Sequence, residues 1–175
     1  MELIKEHDYK DYIVTGTIGF RPSVRAIIIR GDKLAMVYSE KLKHYLFAGG
    51  GIDEGETMEE ALVREVREEL GLEVIPETIS EYGLIVRKEK GKKDDLFIQE
   101  NYFFICDVKD EVGAQKLDIY EAEEEYVLKW VTPEEVLDTN LNYNHAEQEN
   151  APYRKRLMER QNWLVERLIS EGRFR

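Results

Sequence analysis

Cysteine is almost missing from this chain: Cys106 is the only one in 175 residues. A lone thiol excludes a disulfide framework within the chain and fits a reducing compartment. Proline is scarce too, with four residues, and no proline- or glycine-rich linker, low-complexity stretch or internal repeat divides the chain. Long apolar runs are lacking. Nothing approaches the roughly 18 residues of a membrane span, and Met1-Glu2-Leu3-Ile4-Lys5-Glu6-His7-Asp8 has neither the basic region nor the apolar core of a secretory signal. Positive charge is in deficit, with 25 Lys and Arg against 37 Asp and Glu and a net charge of −12. Nucleic-acid polymers are bound by clustered Lys and Arg that release counterions, and anionic lipid needs the same sign, so both partner classes are disfavoured. The mean hydropathy is −0.53, yet 42% of residues are hydrophobic, enough for a core. At about 150 residues per domain, one cytoplasmic domain over residues 1–175 is expected.

The chain reads as strands first, with helices at intervals. Val24 to Ile29 and Leu34 to Tyr38 flank Gly31-Asp32, the pattern of a hairpin. Tyr45-Leu46-Phe47 forms a third apolar stretch before Ala48 and three glycines. Thr57 to Leu70 reads as a helix. Thr57 and Glu60 have capping-box spacing, and Gly71 suits the left-handed position beyond the helix end. Tyr82 to Val86, Phe97 to Val108 and Val127 to Val131 are further strand candidates, and Arg87 to Asp95 reads as a solvated turn. Thr132-Pro133-Glu134-Glu135 opens a short capped helix. Leu157, Leu164 and Leu168 give the closing segment one apolar helical face. The fold class expected is α/β or α+β, a mixed sheet with helices on both sides.

One segment carries chemistry. At about 100° per residue, Glu65, Glu68 and Glu69 share a helix face, while Leu62, Val66 and Leu70 form a stripe about 120° away. The helix therefore buries one side and presents three carboxylates on another. Like charges at this spacing repel. Hard divalent cations such as Mg²⁺ prefer carboxylate oxygens and share their sites with phosphates. The neighbouring glycines are poorly suited to cradle phosphate alone, because Asp53, Glu54 and Glu56 surround them with negative charge. Helix geometry by itself leaves a second explanation open. Glu60–Arg64 and Arg64–Glu68 are i, i+4 pairs, as on a solvated, salt-bridged helix.

The whole segment resembles the Nudix box. Its fixed positions are Gly50, Glu56, Arg64, Glu65, Val66, Glu68, Glu69, Gly71 and Leu72, and each carries the family's residue type. Family members often have proline just before the glycines, where this chain has Ala48. The resemblance implies an α/β/α sandwich and hydrolysis of a nucleoside diphosphate linked to another group, dependent on Mg²⁺ or Mn²⁺. Glu65, Glu68 and Glu69 would carry metal, with the Gly50 carbonyl as a further ligand and Glu65 as a candidate base. Glu56 and Arg64 would form an ion pair holding loop to helix, and Gly71 would have a structural role.

A second acidic residue is expected from a later loop. Glu121, Glu123, Glu124 and Glu125 cluster before a strand, and Glu124 is the choice from sequence. A plain solvated acidic loop is the competing explanation. Candidate substrate contacts are Arg25, meeting phosphate, and Tyr45 or Phe47, stacking on a base; a surface ion pair for Arg25 and core packing for Tyr45 and Phe47 are the favoured explanations. Asn101 and Tyr102 are weaker candidates. His7, His44 and His145 make no zinc-like spacing.

Two alternatives share the fold. A nucleotide-binding or regulatory module would usually lose box glutamates, which this chain keeps. A diphosphate isomerase would rely on cysteine, whereas Cys106 sits in the apolar run Phe103-Phe104-Ile105-Cys106. Residues marking subfamilies lie about 15 to 17 positions past the box. There this chain has Arg87, Lys88 and Glu89, neither the proline of ADP-ribose enzymes nor the tyrosine of dinucleoside polyphosphate enzymes. Nucleoside triphosphates and sugar nucleotides both stay open as the small-molecule partner, and a homodimer is consistent with the family.

Overall fold

A computed structural model describes residues 1–142 and 151–174. The elements are β1 (Leu3–Asp8), β2 (Ile18–Ile27), β3 (Ile29–Arg30), β4 (Lys33–Ser39), β5 (His44–Leu46), α1 (Met58–Leu70), β6 (Leu72–Val74), β7 (Ser80–Glu89), β8 (Leu96–Ile105), β9 (Val108–Val112), α2 (Ile119–Glu123), β10 (Tyr126–Val131), α3 (Pro133–Leu141) and α4 (Ala151–Ser170). One sheet has the order β1-β7-β8-β2, with β7 and β8 antiparallel and both outer pairings parallel. A second has the order β10-β4-β3, with β5 also on β4, and β6 pairs with β9.

Period-two alternation divides the core. On β2, Val24 and Ala26 face one apolar cluster and Ile27 the other; on β4, Ala35 and Val37 oppose Leu34 and Met36. The first cluster takes the α1 stripe Leu62, Val66 and Leu70, all fully buried. The second takes Val136 of α3 and Leu164, Val165 and Leu168 of α4. Strands with two apolar faces thus require helices on both sides, and the mixed α/β/α arrangement follows.

Local signals act where their chemistry predicts. Thr57 accepts from the Glu60 N–H at 3.2 Å and Glu60 accepts from the Thr57 N–H at 2.9 Å, the reciprocal capping box. Gly71 closes α1 at φ 68°, where a side chain would strain the backbone. Thr132 caps α3 through the Glu135 N–H, without the reciprocal bond. Two expectations need correction. The β2 ladder begins at Ile18, because residues 18–23 pair with β8. The segment read as a solvated turn from Arg87 starts later: Arg87 to Glu89 continue β7, and Arg87 and Glu89 are buried. Among the described residues no helix is long and apolar enough to cross a membrane.

Candidate active site

The glycine loop is held against β2. The Val24 N–H donates to Gly50 O and the Ala26 N–H to Ala48 O, each at 2.9 Å, and Ser23 bridges Gly51. The Arg25 guanidinium donates to the carbonyls of Phe47 and Gly49. This pairing lays the loop against the middle and C-terminal half of α1, where Arg64 meets Gly51 and Glu69 meets Gly49. A Cβ at Gly50 would lie 2.6 Å from Glu65 Cδ, so any side chain there displaces the end of Glu65.

The box charges divide into two groups. In the first, Arg64 binds Glu56 through both carboxylate oxygens at 2.8 Å, and also donates to Gly51 O at 3.0 Å and Glu65 Oε1 at 2.7 Å. Glu56 accepts as well from the Asp53 N–H at 3.0 Å. The Arg64 guanidinium holds the Glu56 carboxyl below its usual range, and the carboxylates around Arg64 raise its own affinity for the proton. Loop and helix are therefore joined by a bidentate ion pair.

The second group is a buried carboxylate cluster. Oxygens of Glu65, Glu69 and Glu121 all lie within 4.8 Å of one another. Glu69 is 5% exposed, and its Oε2 accepts from the Gly49 N–H at 2.7 Å. Burial pushes its carboxyl well above the usual range, with Glu121 and Glu65 adding to the rise; Arg25 and the Gly49 N–H oppose it. Burial also raises Glu121, which shares a hydrogen bond with Glu69. Two buried carboxylates and a half-buried third, facing each other, call for positive charge between them. Oxygen-only donors of this kind suit a hard divalent cation. The Gly50 carbonyl borders the cluster with one lone pair already engaged by Val24.

Glu68 lies outside this cluster. One residue from Glu69, it points about 100° further round the helix and meets Arg64 at 3.4 Å and Lys116 at 3.8 Å. The choice of Glu124 also needs correction. Glu124 is buried against Arg154 at 2.7 Å, and the acidic residue beside the box glutamates is Glu121. Their partners explain the offset: the Asp118–Glu121 capping box anchors Glu121 in the first turn of α2, while Arg154 of α4 holds the Glu124 carboxylate.

A cleft of about 400 Å³ opens beside the cluster, lined by Glu69, Glu121 and Gly50 on one side. Arg25 and Phe47 line it too, with the Phe47 ring edge-on to Phe103. Tyr45 does not. It lies in the core against Tyr38, its N–H donating to Asn140 Oδ1 at 2.9 Å. Asn101 reaches the cleft and Tyr102 does not, while Arg21, Arg87, Gln99 and Arg160 line it without having been singled out by the sequence. Cys106 is buried elsewhere, its thiol pushed up to about 12 by burial. His7 and His44 belong to neither cluster nor cleft, and His145 lies outside the described residues.

Comparison with known proteins agrees with this geometry. The NUDIX domain model matches residues 19–153. The chain is 34% identical over 103 residues to the nucleoside triphosphatase NudI of Escherichia coli, covering 56% of this chain and 68% of NudI. Its fold is similar to that of the E. coli ORF135 protein in solution, with a TM-score of 0.51, 27% identity, and coverage of 81% and 88% of the two chains. The MutT protein of Bacillus halodurans gives a TM-score of 0.53 at 19% identity, over 68% of this chain and 72% of that one. The chain belongs to the Nudix family. It is a hydrolase acting on phosphoric anhydrides.

Proposed function

We propose that this chain, as one domain over residues 1–175, hydrolyses the pyrophosphate linkage of a nucleoside triphosphate or a similar nucleoside diphosphate derivative. The observation carrying this reading is the convergence of Glu65, Glu69 and Glu121, the last two of which line the cleft. In it, Glu65, Glu69 and Glu121 hold Mg²⁺, for which Mn²⁺ is a natural substitute, with the Gly50 carbonyl as an added ligand and Glu68 at the rim. When bound, the ion neutralises phosphate charge and makes water a better nucleophile. The chain's net charge of −12 opposes an anionic substrate, so neutralisation is a requirement.

The chain's own groups have separable tasks in this reading. Arg64 and Glu56 fix the loop on the helix and orient Glu65 through the 2.7 Å bond from Arg64 Nη1. Glu65 Oε2, left free of that bond, accepts the proton of the attacking water. Arg25 holds the loop carbonyls and sets positive charge beside Glu69. Phe47 offers an apolar wall to the bound nucleotide, and Tyr45 supports that wall from the core.

NudI is named a nucleoside triphosphatase, which supports nucleoside triphosphates as the first substrates to assay. The test is a panel of triphosphates, sugar nucleotides and dinucleoside polyphosphates with Mg²⁺, scored for phosphate and pyrophosphate release. Turnover that needs Mg²⁺ and falls by at least about 100-fold in Glu69→Gln is expected, the upper range for losing a metal-site group. Full turnover of that variant at saturating Mg²⁺ would contradict the assignment.

A further inference from the structure

The wall of the cleft opposite the carboxylate cluster carries charge of the other sign. Arg87 on β7 is buried, its side chain 6% exposed, between the rings of Phe97 and Tyr153 at 5.3 and 5.5 Å. Its Nη1 lies 2.9 Å from Glu89 Oε1 but off hydrogen-bonding geometry, so that Nε and Nη1 donate to nothing among the described residues. Arg160 on α4 is 9% exposed and has, among the described residues, one hydrogen bond, to the Tyr9 hydroxyl at 3.4 Å. Glu89 is not theirs alone, since Arg156 takes its second oxygen at 3.2 Å and Asp11 at 2.6 Å. Arg87 thus shares its one carboxylate with Arg156, and Arg160 has no carboxylate partner among the described residues, in a protein with a large acidic excess. Burial and the Arg87 charge lower the Arg160 affinity for its proton, and Arg87, Arg160 and Arg25 together pull the Tyr153 hydroxyl below its usual range. All four side chains line the cleft.

The sheet sets the spacing. The glycine loop runs beside β2, β2 beside β8 and β8 beside β7, with Arg21, Gln99 and Arg87 in one register row. At about 4.8 Å per strand, the Arg87 backbone stands about 14 Å across from the backbone of the loop that borders the glutamates, a span that the side chains lining the cleft shorten. Neighbouring phosphates of a triphosphate share one bridging oxygen and do not extend so far. A sugar or nucleoside between two phosphate groups does.

We propose that Arg87 and Arg160 form an anion subsite for a phosphate monoester on the substrate, separated from the scissile pyrophosphate by a sugar or nucleoside. A monoester dianion offsets both guanidiniums at once and supplies acceptors for the idle Arg87 donors, in the bidentate geometry that arginine favours. The substrate class is then a phosphorylated sugar or nucleoside joined through pyrophosphate. This deepens, and rests on, the function proposed above.

The test uses the full-length protein in EDTA, where the carboxylate cluster repels anions and only the arginine wall attracts them. Calorimetric titration with ribose 5-phosphate should show binding, and titration with ribose should show none. Inorganic phosphate should bind more weakly than the monoester. Arg87→Gln and Arg160→Gln should each weaken ribose 5-phosphate by about 10- to 100-fold, the range for a charge-assisted hydrogen bond, and Arg30→Gln, outside the cleft, should not. Wild-type protein that treats ribose 5-phosphate like ribose, or binds inorganic phosphate equally well, would overturn the proposal without any variant. Unchanged affinity in both folded variants would overturn it too. Mg²⁺-dependent hydrolysis of nucleoside triphosphates, assayed in parallel, tests the other reading: hydrolysis without metal-free monoester binding removes the subsite alone, and binding without hydrolysis removes the catalytic reading alone.

Discussion

Replacing Arg64 with Ala removes the group that ties the glycine loop to α1. The side chain is 28% exposed and its partner Glu56 15% exposed, so the pair is neither fully buried nor freely solvated. Two charge-assisted bonds to Glu56, one to Glu65, one to Gly51 O and a longer one to Glu68 are lost together. Bonds to charged groups contribute about 1.5–3 kcal/mol each when their partner is left unsatisfied, but Glu56 keeps the Asp53 N–H and access to water. A net loss of about 2–3 kcal/mol follows, below the 3–5 kcal/mol of a fully buried pair. At about 2–4 °C per kcal/mol for a domain of this size, the metal-free melting temperature should fall by about 4–12 °C. Arg64→Lys keeps the charge without the planar fork and should recover less than half of the loss. Because Arg64 holds the Glu56 pKa down, this stabilisation is present above the ordinary carboxylate range and disappears as pH falls below it. The difference between wild type and variant, followed by circular dichroism, should therefore narrow in acid. A melting temperature within 1 °C, about the precision of such a melt, of wild type at neutral pH would refute the loop–helix tie.

Other perturbations separate the site from its surroundings. Glu121→Gln should reduce stabilisation by Mg²⁺ and lower turnover by at least about 10-fold, while Glu124→Gln should leave the metal response intact and lower stability by leaving Arg154 buried beside a neutral group; the reverse pattern would reinstate Glu124. Gly50→Ala places a Cβ 2.7 Å from Glu65 Oε2. The end of Glu65 swings aside, so the fold should survive while Mg²⁺ no longer raises the melting temperature; an unchanged metal response would contradict the close approach. His7 is pushed down to about 4 by burial, with Arg160 and Lys5 adding to the fall, from an ordinary value of 6.5. Between these values the unfolded chain binds a proton that the folded chain refuses, so stability is lost as pH falls. Discounted for partial exposure, the loss is about 1–2 kcal/mol. His7→Asn should melt with a shallower decline between pH 7 and pH 4, and parallel profiles would refute this account.

What the sequence conveyed depended on how local the cause was. The α1 stripe, the Thr57–Glu60 cap and Gly71 are set by neighbours within a few turns of chain, and the structure shows each of them. Glu65 and Glu69 were visible as a pair because helix phase alone aligns them. Glu68 separated from them because its partners Arg64 and Lys116 draw it to the outer face. Choosing Glu121 over Glu124 required the existence of a five-residue helix and the position of Arg154, 30 residues further on. Arg87 and Glu89 read as turn residues because charge normally marks solvent. Here their partners come from other segments, Phe97 on β8 and Tyr153 and Arg156 on α4. Strand β1, Leu-Ile-Lys-Glu-His-Asp, has no apolar alternation, and its parallel pairing with β7 gave no local signal.

The most direct measurement is a titration of the metal-free protein with Mn²⁺, followed by the loss of free-ion paramagnetic resonance signal, in wild type, Glu69→Gln and Glu121→Gln. Saturable binding by wild type, weakened by about 10- to 100-fold in each variant, with Mg²⁺ competing, is the result expected. Equal binding by all three folded proteins would show that the buried trio does not hold the cation on which hydrolysis depends.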